Sequence, residues 1–444
     1  MTSGLDAGRI PQVRQFAVVL LIYLVLLGPV LYSVLKKKKR RNQLRIFMIG
    51  LALAFTVIIY GMGSRTRFYC PFMNYASVQE IRSGMMVETV YANVFSPSNA
   101  SYSMEFRAGY DVVPLINYSY DTQKAKREEV CRLRISRAEE GTRVWLRENI
   151  PFTANILRLT GTESSPYGDG FQGEITLFEQ GWEGILCNAT GQDFEQVCVL
   201  ARGRVVLIGD LKAGAQVDLA QFPTRLIYGP QQDTLLETMA GTNAFDTPVE
   251  SKEASLATRR YRMLYSYFQN QMLEESGTAL VLGFSTEERD GYLVGTGVEV
   301  QGATLVTEVI PLNDSKNGQN YLPIDRKGID VLQGSYNYTR NSTTETLCVL
   351  RYDFGDLTAE QLLVQWPEVS REEAYQKVFD RSLEFYNWET DQYDLVGKGT
   401  YYDKQALAPY LDGDNGLTVR YSIEASEESY YEVFLPDLSV VGRR

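Results

Sequence analysis

Two uncharged apolar runs near the N-terminus limit what the rest of the chain can be. Phe16 to Leu35 (FAVVLLIYLVLLGPVLYSVL) is twenty residues long and Ile46 to Met62 (IFMIGLALAFTVIIYGM) is seventeen, with the ten residues KKKKRRNQLR between them. At about 1.5 Å per helical residue the first run crosses a hydrocarbon core of about 30 Å. The second does so where the membrane is thin or its flanking cations snorkel. Hydrocarbon cannot satisfy backbone polar groups, so both runs predict helices, and the short connection predicts an antiparallel transmembrane hairpin over 16–62. Its loop, 36–45, carries Lys36, Lys37, Lys38, Lys39, Arg40, Arg41 and Arg45, against two cations before the first run and two after the second. The positive-inside bias therefore places the loop in the cytoplasm, residues 1–15 outside as a short N-terminus, and everything beyond Met62 outside as well. A cleaved signal peptide fits less well, because the first run is long for an apolar signal core and lacks a small-x-small site. Gly28 and Pro29 predict a kink that frees the Val25 carbonyl, and Gly50 with Ala54 offers a small-xxx-small face for helix contact.

Charge changes sign across this anchor. The whole chain of 444 residues carries −11, yet residues 1–63 hold nine Lys/Arg and one acid, which leaves 35 cations against 54 acids, or −19, in the remainder. Such a surface repels phosphate backbones, so the bilayer is an expected partner and nucleic acid is not. The chain has no histidine, which removes the commonest general base and the commonest metal ligand. No glycine pattern or nucleophile elbow replaces them, so no catalytic residue, metal or cofactor is predicted and an enzyme is not expected. Five cysteines in an oxidising compartment are expected to be few, paired, or both, and the odd number leaves at least one free thiol. Cys187 and Cys198 flank a strand-turn-strand pattern and form the candidate disulfide. Six N-x-S/T sequons (Asn99, Asn117, Asn188, Asn313, Asn337 and Asn341) carry weight only in a cell that glycosylates secreted chains.

Past the anchor the pattern turns from continuous apolar to alternating. Residues 63–165 contain β-branched and aromatic runs of strand length broken by Ser, Pro, Asn and Gly, which predicts a membrane-proximal β domain. Residues 166–222 hold short strands with turn residues every 8 to 12 positions, the rhythm of an immunoglobulin-like β-sandwich. An α+β domain is expected over 223–345, with an amphipathic helix at 250–275, a strand at 278–285 and a hairpin within 292–312. A C-terminal β domain is expected over 346–444, including a short helix opened by the capping-box match from Ser370 to Glu373. The fold class is thus mainly β: a transmembrane helical hairpin followed by several antiparallel β-sandwich-like domains with a small α+β insertion.

The runs GILCNATG (184–191), FEQVCVL (194–200) and GDLKAG (209–214) resemble small sandwich modules of bacterial envelope proteins. LLIYLVLLGPVLYSVLKKKKRR is similar to the anchor core of uncharacterised two-helix membrane-anchored extracytoplasmic proteins of Gram-positive bacteria, and YNWETDQYD (386–394) resembles the same group. The resemblance implies a larger extracytoplasmic segment before the first helix, where this chain has fifteen residues.

Two surface motifs remain. LDGDNG (411–416) has the oxygen donors of a calcium loop but lacks a ligand at Gly416 and a later bidentate Glu, so a plain Asx-Gly turn is the better reading. Tyr386 and Trp388, with Tyr393, Tyr401, Tyr402 and Tyr410 close in sequence, form a possible glycan platform, since aromatic faces stack on pyranose planes. The alternative is that these rings fill a β core. The functional expectation is a membrane-anchored extracytoplasmic scaffold or binding protein, an accessory partner of another membrane protein such as a transporter. A cell-wall glycan-binding protein is the alternative, and an envelope hydrolase a weaker one.

Overall fold

The computed structural model describes residues 13–37, 44–64, 71–96, 99–115, 132–147, 154–179, 181–229, 232–241, 252–270, 277–287, 291–294, 298–367, 376–423 and 432–444. The protein is mainly β, with several sheets and two apolar helical segments at its N-terminal end. Lys38, Lys39, Arg40 and Arg41 of the basic loop lie outside the described residues, as does the Ser370 to Glu373 capping box.

The first apolar run is helical over Val13–Val25 and again over Leu31–Lys37, and the second over Leu44–Ser64. They touch through Tyr23 and Phe55, whose ring centroids lie 5.1 Å apart. Leu51, Ala52, Phe55, Ile59 and Met62 form the partly covered stripe of the second helix, while most of its other side chains stay exposed. Pro29 is absorbed in a way the kink expectation did not specify. The helix widens into one π-turn over Leu26–Val30, and the Leu31 N–H reaches back to the carbonyls of Leu26 and Gly28. A wider turn gives the pyrrolidine ring room against the carbonyl four residues back. A Cβ built on Gly28 or Gly50 meets nothing within 4 Å, so the small face at Gly50 is not used inside the chain.

The first β body is built on a sheet whose central pair is the least local among the described strands. Phe72–Arg82 runs parallel to Glu299–Asn313 through ten residue pairs, from Phe72 beside Glu299 to Ile81 beside Glu308. On one side the sheet continues through Met85–Phe95, Asn155–Ser164 and Tyr110–Leu115; on the other through Thr278–Ser285, Phe194–Ala201, Arg204–Leu211 and Thr224–Leu226. Side-chain alternation sorts the two faces. Ala76, Cys198, Leu200, Val205, Leu280, Leu282, Ala303 and Leu305 meet the helices Gln232–Ala240 and Lys252–Asn270 through Leu236, Met263, Leu264 and Tyr267. The opposite face carries two smaller layers. One is the hairpin Phe171–Phe178 with Gly181–Asn188, which buries Phe171, Ile175, Leu177, Trp182 and Leu186. The other is the three-stranded sheet Tyr102–Arg107, Gly141–Arg147 and Arg132–Ala138, which buries Met104, Phe106, Val144 and Leu146.

Sheet pairing crosses the boundaries expected at 165/166 and 222/223. Residues 166–222 do not close on themselves as an immunoglobulin-like unit: Phe194–Ala201 pairs with Thr278–Ser285, and Gly181–Asn188 belongs to a separate layer. The turn rhythm is a true strand signal, but strands of this kind take whichever partner buries their apolar face, and that partner lies in the next expected domain. The hairpin expected within 292–312 is also corrected. Glu299–Asn313 is one strand, held between Phe72–Arg82 and Thr278–Ser285.

The second body starts earlier than position 346. Gln319–Pro323 pairs with Asp437–Arg443, and Asp330–Gln333 with Leu347–Asp353. Two five-stranded sheets share one core, in which Leu362, Val364, Leu438 and Val440 of one meet Leu350, Tyr352, Phe385, Val419 and Tyr421 of the other. Gln376–Val378 is a strand, parallel to Glu432–Phe434, where the helix after Ser370 was expected to continue. Buried Phe379 and this pairing override the helical expectation over 376–379.

Candidate functional site

Leu383–Asn387 and Gln392–Gly397 form a hairpin at the edge of the second body, with Tyr386 directly opposite Tyr393. Alternation sends Leu383, Phe385 and Asn387 inward, so Tyr386 projects to the solvent side together with Glu384. The turn is fixed by the Asn387 carboxamide: its Oδ1 accepts the N–H groups of Glu389 at 2.9 Å and Thr390 at 3.3 Å, and its Nδ2 donates to Asp394 at 2.6 Å. The Trp388 N–H donates to the Pro409 carbonyl at 3.0 Å, which pins the residue carrying the exposed ring.

The result is a row of rings outside the core. Tyr386 lies 4.8 Å from Trp388 and 5.1 Å from Tyr393, centroid to centroid, both edge-to-face. The Arg420 guanidinium sits 4.0 Å over Tyr393 and is held by Glu384, whose other oxygen accepts from Ser422 at 2.7 Å. Trp388, at the far end, is 50% exposed. The Tyr386 hydroxyl donates to Asp391; that bond, with a little desolvation and the carboxylate's charge, pushes its pKa up. Burial chiefly raises that of Tyr393, against the nearby Arg420. Sequence proximity groups further tyrosines here, and the structure divides them. Tyr402 and Tyr410 pack on Phe385 at 5.3 and 5.5 Å, on the core side, and Tyr401 lies on an edge strand of the other sheet.

Other sites expected or weighed from sequence resolve differently. Cys187 and Cys198 are free thiols, so the expected disulfide is not formed. Cys187 lies on the outer hairpin and Cys198 points to the helix-covered face of the large sheet, where burial raises its pKa well above the usual thiol range. In the 411–416 loop the Arg351 Nε lies 2.7 Å from Asp412 Oδ2, while Asp412 Oδ1 accepts from Asp414 and Gly416 at 2.9 and 2.7 Å. Burial would raise the Asp412 pKa, but these donors outweigh it and hold it down. A guanidinium thus pairs with the carboxylate that a calcium ion would need. Among the described residues no group of three or more Asp, Glu, Cys or His is placed to hold a metal. Two sequon asparagines are structural: Asn188 is buried and donates to the carbonyls of Gln192, Leu211 and Lys212, and Asn341 donates to those of Leu435 and Pro436.

Sequence reasoning did not find the cleft where the two bodies meet, about 570 Å³ in volume and lined by Arg202, Tyr228, Asp314, Arg326 and Asp356 among others. Its residues come from distant segments and carry no local pattern. Much of its charge is internally matched. Arg202 pairs with Asp314 at 2.5 Å, and Arg326 stacks 3.3 Å over Tyr228 while donating to the Tyr338 carbonyl at 3.0 Å. Beneath it, fully buried Arg204 pairs with Asp437 at 2.6 Å, and the Tyr228 hydroxyl donates to the same carboxylate.

Residues 170–313 match the family described as Domain of unknown function (DUF8725), which covers the Phe171–Asn188 hairpin, both body helices and the central strand Glu299–Asn313. No curated protein matches the sequence. Among solved structures, the Mu homology domain of Fcho1 from Danio rerio, with a bound Eps15 peptide, is 8% identical at a TM-score of 0.26, covering 55% of this chain and 97% of its own. The yeast delta-COP-I mu-homology domain, complexed with a Dsl1 WxWxV peptide, is 9% identical at 0.25, covering 54% of this chain and 96% of its own. Scores of this size do not establish a common fold.

Proposed function

We propose that the chain is a membrane-anchored binding scaffold, an accessory partner of another membrane protein such as a transporter, with its β bodies on the extracytoplasmic side. The observation that carries this reading is that the apolar windows Phe16–Ser33 and Arg45–Met62 are long enough to span a bilayer, and none of either is buried by the rest of the chain. Water is a poor solvent for such surface, while lipid accepts it without cost. Orientation follows from the cations of the 36–45 loop. The acidic remainder offers rigid sheets and loop ends for binding, and the reading assigns it no reaction.

Extraction and accessibility test this. The full chain is expected to stay with membranes in alkaline carbonate and to leave only with detergent. Protease added to intact cells should trim it beyond Ser64 and spare the 36–45 loop. Release by carbonate, or protection of the β bodies, overturns the proposal.

A second reading is favoured by one observation. Tyr386, Trp388 and Tyr393 stand on the solvent side of their sheet and are not core, which suits a platform for cell-wall glycan. Binding of saccharide by the full chain in detergent, weakened by Trp388→Ala, is the outcome expected from it.

A further inference from the structure

Resting on that second reading, we propose that the ring row at the hairpin tip takes an uncharged pyranose chain and rejects anionic polysaccharide. The row is closed at one end and open at the other. Arg420 covers the face of Tyr393, and Tyr386 is engaged edge-to-face on both sides, so the free stacking surface is Trp388. The ring is presented on a turn whose backbone is fixed by Asn387 and Pro409, so little backbone freedom remains to be lost on binding.

The rim around that ring is made of hydrogen-bond acceptors. Glu389 and Asp391 are exposed beside Trp388. A carboxylate accepts about four hydrogen bonds, and Asp391 accepts one here, from Tyr386. Sugar hydroxyls can supply the remaining donors. The cation of the row, Arg420, is matched by Glu384, so the tip is left with a net negative charge. A uronate or phosphate brought onto Trp388 would lie beside like charges, and its own groups would find acceptors where they need donors. A cationic side chain on one exposed ring would gain about two- to fivefold in affinity, which is about 0.5–1 kcal/mol, whereas a pyranose stacked on Trp388 also brings hydroxyl donors to Glu389 and Asp391.

The full chain in detergent is titrated with chitohexaose and cellohexaose as neutral probes, an oligogalacturonate of the same length as the anionic probe, and hexa-arginine as a mimic of a basic protein partner. At least one neutral hexamer is expected to bind. Trp388→Ala should weaken it by about tenfold or more and Trp388→Phe by about threefold or less. Glu389→Gln combined with Asp391→Asn should admit the galacturonate. If the wild type binds galacturonate as tightly as the neutral sugars, the charge rule falls and the platform reading stands. If no saccharide binds in a Trp388-dependent way, both fall. Trp388-dependent binding of hexa-arginine alone also overturns both and assigns the surface to a basic protein.

Discussion

Glu88 is 1% exposed in the middle of the first body, yet it is a charged residue with a lowered pKa. Burial alone would raise that value. It is outweighed because the carboxylate accepts from Ser77 at 2.5 Å, Gln79 at 2.7 Å and Tyr292 at 2.8 Å, and from Tyr110 as well. Tyr167 extends the network by donating to Gln79. Four neutral donors around one carboxylate hold it in its charged form, and exchanging one carboxylate oxygen for an amide NH2 sets donor against donor. Glu88→Gln is therefore expected to lower stability by about 3 kcal/mol, read as a fall in the thermal midpoint of the detergent-solubilised chain. The pH dependence has a definite sign. Because the folded-state pKa lies below the unfolded one, the stabilisation is complete above the ordinary Glu value of about 4.3 and is lost as pH falls through the folded value. The midpoint gap between wild type and variant should narrow on acidification across that window. A gap that stays constant through it would contradict the assignment.

At the scale of elements, the π-turn at Leu26–Val30 sets which side of the first helix meets the second. One inserted residue rotates the turns before it by about 100° relative to the turns after it. With Pro29→Ala the reason for the wide turn is gone, and a regular helix would turn Tyr23 away from Phe55. In membranes, the Tyr23→Cys and Phe55→Cys pair should be joined efficiently by a short bis-maleimide in the otherwise wild-type chain, and much less once Pro29→Ala is added. Equal yields in the two backgrounds would show that Pro29 does not set the helix phase. Which elements were legible in the sequence depends on how local their causes are. The two apolar helices and the Lys252–Asn270 helix are each specified within about twenty residues, and each is readable. The strand Glu299–Asn313 is readable in part, but its parallel partner Phe72–Arg82 is not, because FMNYASVQEIR mixes buried Asn74, Ser77 and Gln79 with its apolar residues and shows no clean alternation. At Gln376–Val378 the expected helix is a strand because the burial of the neighbouring Phe379 depends on partners far away in sequence. Closeness in sequence groups Tyr402 and Tyr410 with Tyr386 and Trp388, and only the fold separates them, since alternation predicts a face but not which face is wet.

For the molecule as a whole, the two β bodies are joined through Arg204 and Asp437, 233 residues apart and among the most buried charges in the chain. Tyr321 and Val441 of the second body enter the apolar core of the first, and the Arg204 guanidinium lies 5.5 Å from the Tyr321 ring. The Arg202-Gly203 turn brings Arg204 to this place, and Gly203, at φ +75°, has no room for a Cβ against Tyr228. A buried ion pair adds little net stability over apolar residues of the same shape, but breaking it from one side strands a charge. Asp437→Asn should therefore cost about 3–5 kcal/mol, whereas Arg204→Met combined with Asp437→Asn should recover part of that loss, because no charge is then left buried. Loss of the pair should also separate the bodies in cooperativity. In Asp437→Asn, hydrogen exchange is expected to quicken in Arg204–Leu211 and Asp437–Arg443 together, while the Leu383–Asn387 strand, which depends on the core of the second body alone, is spared. If exchange rises uniformly across both bodies, or if the double variant is less stable than Asp437→Asn, the pair is not what holds the two bodies as one.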